Sequence, residues 1–147
     1  MVGSATRGSS VAAKYSATLS YTDSNSLTGG TVTDTTMTPT STTGGITTSG
    51  SDVKLTVLAG GLTIGDGVGP AGTDDLTLGT GNLTLNVVGA VTQTSGNSIT
   101  AAGLPLLGSG TVHLDDSGTN VVTFAAHSSV ARGYTASSSL TRGSVTA

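Results

Sequence analysis

The chain has 147 residues, a formal net charge of −3 and no cysteine, and only 9% of it is charged. Five scattered Lys and Arg offer no basic patch for phosphates, and the lack of cysteine excludes disulfides, thiolate metal sites and cysteine nucleophiles. Serine and threonine fill about a third of the sequence beside 23 glycines and 3% aromatics, a low-complexity composition unlike that of a compact enzyme.

From the amino terminus, residues 1–10 (MVGSATRGSS) lack the apolar core of a secretory signal and read as an extension or the end of a preceding repeat. An export signal, if the chain is exported, is expected outside it. Residues 11–52 form a Ser/Thr-rich repeat junction of strands and loops. Within it Thr33–Ser51, TDTTMTPTSTTGGITTSGS, predicts weakly paired strand and loop. From residue 53 the pattern sharpens. Leu55, Val57, Leu62, Ile64, Leu76, Leu78, Leu83 and Leu85 alternate with Thr56, Thr63, Thr77 and Thr84. That period of two sends aliphatics to one face of a strand and threonines to the other. No window sustains helical spacing, and no apolar run approaches the roughly 18 residues of a membrane span. The chain is predicted all-β.

The strands recur. Leu55 and Leu76 are 21 residues apart, as are Leu62 and Leu83, Leu78 and Ile99, Leu83 and Leu104, Leu85 and Leu106, and Val91 and Val112. Gln93 and Asn97 interrupt the pattern, and its register drifts after Leu114. A period of about 20 residues with Gly, Asn and Asp between strands predicts a β-solenoid core over residues 53–126. Each coil gives one strand to each of two or three parallel sheets. The spacing places Leu55, Leu76 and Asn97 in one column and Leu62, Leu83 and Leu104 in another.

A longer repeat joins the two ends. Val11–Asp34 aligns without gaps onto Phe124–Ala147 at an offset of 113, matching Tyr21 with Tyr134, Leu27 with Leu140 and Val32 with Val145. Residues 127–147 therefore read as the start of the next repeat copy, and the chain as a window on a tandem array.

Three stretches carry a resemblance: ITTSGSDVKLTVLAGGLTIGDG, GNLTLNVVGAVTQTSGNSITAAGLPLLGSGTVHLDDSGTNVVTFAA and LSYTDSNSLTGGTVT. In order and spacing they resemble the repeat region of filamentous-haemagglutinin-like adhesins, bacterial surface proteins of the two-partner secretion family. The resemblance covers residues 19–126 and recurs in the C-terminal tail. It implies a right-handed parallel β-helix stalk displayed outside the cell, for adhesion or biofilm structure. The family's amino-terminal secretion domain and any carbohydrate-binding or toxin module are missing, so the resemblance points to a piece of the stalk.

The candidate reactive groups read as architecture. Asp74-Asp75 and Asp115-Asp116 are paired carboxylates, which β-helix polysaccharide enzymes use for calcium or acid/base work, but beside Gly they fit corners that accept backbone hydrogen bonds. The GDGVG stretch from Gly65 to Gly69 lacks both the recurring calcium nonapeptide and a phosphate-loop Gly-Lys-Ser/Thr ending, and predicts a turn with positive-φ glycines. Pro70 and Pro105 fit corners or edges. His113 and His127 stand without partners at ligand spacing, and alternation points His113 to solvent. No Gly-x-Ser-x-Gly elbow supports serine catalysis. Outward threonines resemble an ice-binding face only weakly, since Lys54, Asp75, Asn82 and Asn86 flank them. Ser/Thr O-glycosylation is chemically feasible.

No catalytic, cofactor or metal residue is assigned. The expected function is a structural, non-enzymatic solenoid stalk module of a secreted bacterial surface adhesin or extracellular fibre. The alternative is a self-assembling filament subunit joined through open sheet ends, and the third reading is a β-helix polysaccharide-active enzyme. Expected partners are neighbouring repeats or copies of itself end to end, with host or matrix glycans or proteins as candidates, and neither nucleic acid nor an inserted membrane.

Overall fold

The computed structural model describes residues 2–5, 9–34, 36, 39, 41–66, 68, 70–127, 132–135, 137 and 139–144. The chain travels repeatedly between a ten-stranded and a six-stranded sheet. It begins with β1 (Val2–Ala5) in the larger sheet and β2 (Ser9–Val11) in the smaller, then returns to the larger with β3 (Ala13–Tyr15) and β4 (Leu19–Asp23). The second circuit takes β5 (Leu27–Gly29) to the smaller sheet and β8 (Ile46–Thr48) and β9 (Val53–Val57) to the larger. Between them β6 (Val32–Asp34) and β7 (Ser41–Thr43) form a separate pair. The third circuit is β10 (Leu62–Ile64), β11 (Leu76–Thr77) and β12 (Leu83–Val87).

Later circuits are plainer. β13 (Val91–Gln93) leads to β14 (Ile99–Leu106), β15 (Val112–Leu114) to β16 (Asn120–Ala126), and β17 (Arg132–Tyr134) to β18 (Thr141–Arg142). The pairs β3/β4, β8/β9 and β11/β12 lie along two halves of the large sheet, which β14 spans as one strand. Among the named strands every pairing is parallel except β6 with β7, which is antiparallel. The stretch 33–51, expected as weakly paired strand and loop, thus holds a small antiparallel pair followed by a parallel strand. Residues 35, 37, 38 and 40 of it lie outside the described residues.

Alternation decides which side chains face inward. Leu55, Val57, Leu62, Ile64, Leu76, Leu78, Leu83 and Leu85 are all buried, as the period of two predicts. Parallel register then stacks like on like. Leu55 pairs with Leu85, and Leu85 with Leu106. Leu27, Leu62, Val91 and Val112 form a second column, and Ile46, Leu76 and Ile99 a third. Each buried Leu or Val contributes about 1.5–3 kcal/mol through area removed from water. A single circuit holds few of them, so neighbours are needed to close the core.

The expected columns need correction. Leu62 does not stack on Leu83. It pairs with Leu27 and Val91 in the six-stranded sheet, whereas Leu83 pairs with Val53 in the ten-stranded one. Leu55 meets Leu85 rather than Leu76, and Leu76 meets Ile46 and Ile99 rather than Asn97. The cause is unequal circuit length. From Leu27 to Leu62 is 35 residues and from Leu62 to Val91 is 29, whereas Val91 to Val112 and Leu85 to Leu106 are 21. Across a lengthened circuit, a 21-residue step lands on a different strand position. The next circuit takes 20 residues, from Val112 to Arg132 and from Leu106 to Ala126, which accounts for the drift after Leu114.

The 113-residue match does not carry over into position. Tyr21 pairs with Leu55 in the larger sheet, but Tyr134 pairs with Leu114 in the smaller one. Leu27 is buried, while Leu140 is 42% exposed. Tyr134 instead packs on Phe124, ring centroids 5.3 Å apart and tilted by 42°.

At the corner leading from the larger sheet to the smaller, backbones nearly touch. Gly89 N donates to Gly60 O at 2.8 Å, and a Cβ on Gly89 would overlap that carbonyl. Gly110 stands over Gly89 in the same way. Only glycine allows this approach.

Candidate functional site

The opposite corner, from the smaller sheet back to the larger, carries most of the extra length. Gly30–Gly45, containing β6 and β7, is inserted in the second circuit and residues 65–75 in the third. Gly45 sits at φ 60°, and a Cβ there would collide with the Asp75 backbone, so the two insertions lie directly on one another. Hydrogen bonds fasten them. Ile46 N donates to Asp75 O at 3.0 Å and Gly65 N to Gly29 O at 2.7 Å, while Gly45 N closes the first insertion on Gly30 O at 3.3 Å.

A polar ladder runs up the inside of this corner. Asp74, 1% exposed, accepts from the Thr31 hydroxyl at 2.8 Å and the Asp66 amide at 3.2 Å. Its own N–H donates to Asn97 Oδ1 at 3.3 Å. One circuit on, Gln93 Nε2 donates to Asn97 O at 2.7 Å and Thr119 Oγ1 at 2.8 Å, while Gln93 Oε1 accepts from Asp116 N at 3.3 Å. Thr119 Oγ1 also accepts from Ile99 N at 3.3 Å. Every link answers a polar group that the aliphatic core could not. Gln93 and Asn97, which interrupt the sequence repeat, are the rungs of this ladder.

The two acidic pairs come together here. Asp75 Oδ1 accepts from Ser98 N at 2.6 Å, and Asp116 Oδ2 from Gly96 N at 2.7 Å. They bracket one short segment from circuits on either side of it. Asp116 Oδ1 also takes the Gly118 N–H at 2.8 Å, and exposed Asp115 lines a shallow hollow of about 210 Å³ with Ser95 and Ser117. Asp66 behaves similarly. Its carboxylate accepts from Thr31 N at 2.8 Å and Val68 N at 2.7 Å, and these donors, with Asp74 adding to them, hold it below the usual carboxylate range despite the opposing effect of burial. Asp66, Asp74, Asp75 and Asp116 thus accept from the chain's own donors, the bonding that a corner role requires.

The remaining candidates are dispersed. Gly65 has φ 83°, the positive φ expected of a glycine in GDGVG, while Gly67 and Gly69 of that stretch lie outside the described residues. Pro70 caps a turn, its carbonyl accepting from Thr73 N at 3.3 Å and Thr73 Oγ1 at 2.8 Å. Pro105 is not at a corner but inside β14, where its missing N–H interrupts pairing to β12. That ladder retains Leu85 with Leu106 and the bridge between Asn82 and Gly103. His113 is exposed between buried Val112 and Leu114, as alternation requires, and His127 is exposed elsewhere. Among the described residues no three His, Cys, Asp or Glu side chains gather to hold a metal ion. No helix among them is long and apolar enough to cross a membrane. Outward threonines form short columns, Thr28, Thr63 and Thr92 on one sheet and Thr47 and Thr77 on the other, the latter continuing to Thr100. Lys54 lies beside Thr84, and Thr56 beside Asn86.

Between the two insertions lies a cleft of about 390 Å³ that the sequence reading did not find. Thr31, Thr42 and Thr73 line it, with Lys14 as a cation beside them. Val68 and Pro70 add apolar lining, and Gly44 completes it. The signal was there in the lengths: 35- and 29-residue circuits beside 20- and 21-residue ones mark where chain has been added. Comparison with protein-family models, with curated proteins and with solved structures gives no match to this chain.

Proposed function

We propose that this chain is a right-handed parallel β-solenoid module, a structural and non-catalytic part of the stalk of a secreted bacterial surface adhesin or extracellular fibre. The observation that carries this reading is the unbroken parallel pairing of successive circuits over a shared aliphatic core. Such a core grows by addition of similar circuits, which is what a stalk requires. The acidic residues favour architecture over chemistry, because Asp66, Asp74, Asp75 and Asp116 all accept bonds from neighbouring backbone or hydroxyl groups. The bacterial surface setting rests on the resemblance of residues 19–126 to filamentous-haemagglutinin-like repeats. The test is small-angle X-ray scattering of one copy and of two copies joined covalently. The reading predicts about a doubling of particle length at constant cross-section, and a thicker particle of unchanged length would contradict it.

A second reading, end-to-end assembly of separate chains, has its own support. β1, β2 and β3 at one end and β17 and β18 at the other each pair on one side only among the described strands. Free edges of parallel strands accept further strands. Charged or proline-bearing caps on the terminal circuits should abolish concentration-dependent elongation by light scattering. Elongation that persists with both ends capped would remove this reading.

A further inference from the structure

The cleft between the two insertions has polar groups already committed in one direction. Thr31 Oγ1 spends its hydrogen on Asp74 Oδ1 at 2.8 Å, and Thr73 Oγ1 spends its hydrogen on Pro70 O at 2.8 Å. Both oxygens therefore offer lone pairs, not protons, to whatever enters. Thr42 Oγ1 lies 3.1 Å from Thr33 Oγ1 and shares one hydroxyl proton with it. Lys14, exposed and lining the cleft, supplies ammonium donors and a positive charge. Asp66 and Asp74 keep their charge, but their oxygens turn to backbone and hydroxyl donors and neither belongs to the described lining, so Lys14 is the charged group at its surface. A complementary ligand carries one anionic group for Lys14 and several hydroxyl donors for the threonines, with an apolar face for Val68 and Pro70.

We propose that this cleft binds an acidic saccharide unit of the hexuronate type. Its volume of about 390 Å³ lies at the small end of ligand sites and holds a short ligand of roughly one or two sugar rings. Lys14 is the one cation that the described lining provides, which suits a single carboxylate better than a diphosphate. No aromatic ring among the described lining residues offers a stacking platform, so a nucleobase gains little there. With a net charge of −3, the chain does not attract polyanions in general. Recognition must be local.

The experiment is a titration of the ¹⁵N-labelled chain followed by amide shifts, with glucuronate, glucose and inorganic phosphate as separate probes. Glucuronate is expected to shift the amides of Thr31, Thr42, Gly44 and Thr73 with a Kd on the order of mM. Glucose should bind about tenfold more weakly, and phosphate should leave these amides in place. Lys14→Met, at an exposed position, should reduce glucuronate affinity to that of glucose. Thr73→Val should weaken both sugars together. Equal binding of glucuronate and glucose, a phosphate response at the same amides, or no shift up to ~100 mM glucuronate would each overturn the proposal. None of these outcomes bears on whether the circuits stack as a stalk.

Discussion

The hydroxyl of Thr31 donates to the carboxylate of Asp74 across 2.8 Å, joining the two insertions through residues 43 positions apart in the chain. Asp74 is 1% exposed and also receives the Asp66 amide. Asp74→Ala would leave both donors facing an apolar gap, at a cost of about 1–3 kcal/mol for each. Urea unfolding of this variant should show that loss, whereas Asp115→Ala, at an exposed side chain, should stay within about 0.5 kcal/mol of the parent. Equal stability of the two variants would contradict the buried ladder.

Leu83 is fully buried and pairs with Val53, while Thr84 points outward beside Lys54. Leu83→Ala should cost about 2–5 kcal/mol, the range for truncating a packed core aliphatic. Thr84→Ala should change stability by about 0.5 kcal/mol or less. Chemical denaturation of both variants checks the assignment of inside and outside, and equal losses would reverse it.

How much of this was legible in the sequence depends on which residues are considered. Leu83, Leu85 and their alternating threonines announced strands, because period-two burial is a local property of an extended chain. Val91 with Val112 and Leu85 with Leu106 were also readable, since no insertion separates them. Leu62 was misplaced. Its partners lie 35 and 29 residues away, across loops whose lengths follow no repeat. The acidic pairs were understood as corners, but their convergence on the segment Gly96–Ser98 depends on circuit length and so required the fold. The cleft was hidden for the same reason: Lys14, Thr31 and Thr73 meet only once three circuits are stacked.

The corner glycines should resist substitution. A methyl group on Gly89 would overlap the Gly60 carbonyl. Gly89→Ala should therefore lower stability by about 1–3 kcal/mol, as overpacking does in a tight interior. Gly79→Ala probes a different cost, because a Cβ there meets nothing within 4 Å although φ is 61°. Its loss should be the smaller of the two in thermal unfolding. The opposite order would mean that circuit-to-circuit contact at Gly89 is looser than described.

Acid should loosen the insertions first. The folded-state pKa of Asp66 lies below its unfolded value because Thr31 N–H and Val68 N–H stabilise the carboxylate. The stabilisation it provides is therefore complete above about pH 4 and is lost as the pH falls through the lower, folded value. Amide shifts of Thr31 and Val68 should follow that step below pH 4, and Asp66→Asn should remove it from both. A step above pH 5 would reverse the sign of the shift.

The central claim is that parallel circuits of unequal length stack around one core, with most of the extra chain placed at one corner. Thr63 and Thr92 face outward on paired strands, their hydroxyl oxygens 3.4 Å apart. Adjacent parallel strands lie at a separation that a disulfide can span, and the chain has no cysteine of its own to interfere. Oxidation of the double variant Thr63→Cys/Thr92→Cys should give rapid, complete intramolecular cross-linking at micromolar protein, read by mass spectrometry. The pair Thr63→Cys/Thr84→Cys, joined by the 21-residue spacing but placed in different sheets, should remain reduced under the same conditions. Cross-linking of the second pair and not the first would contradict the stacking described.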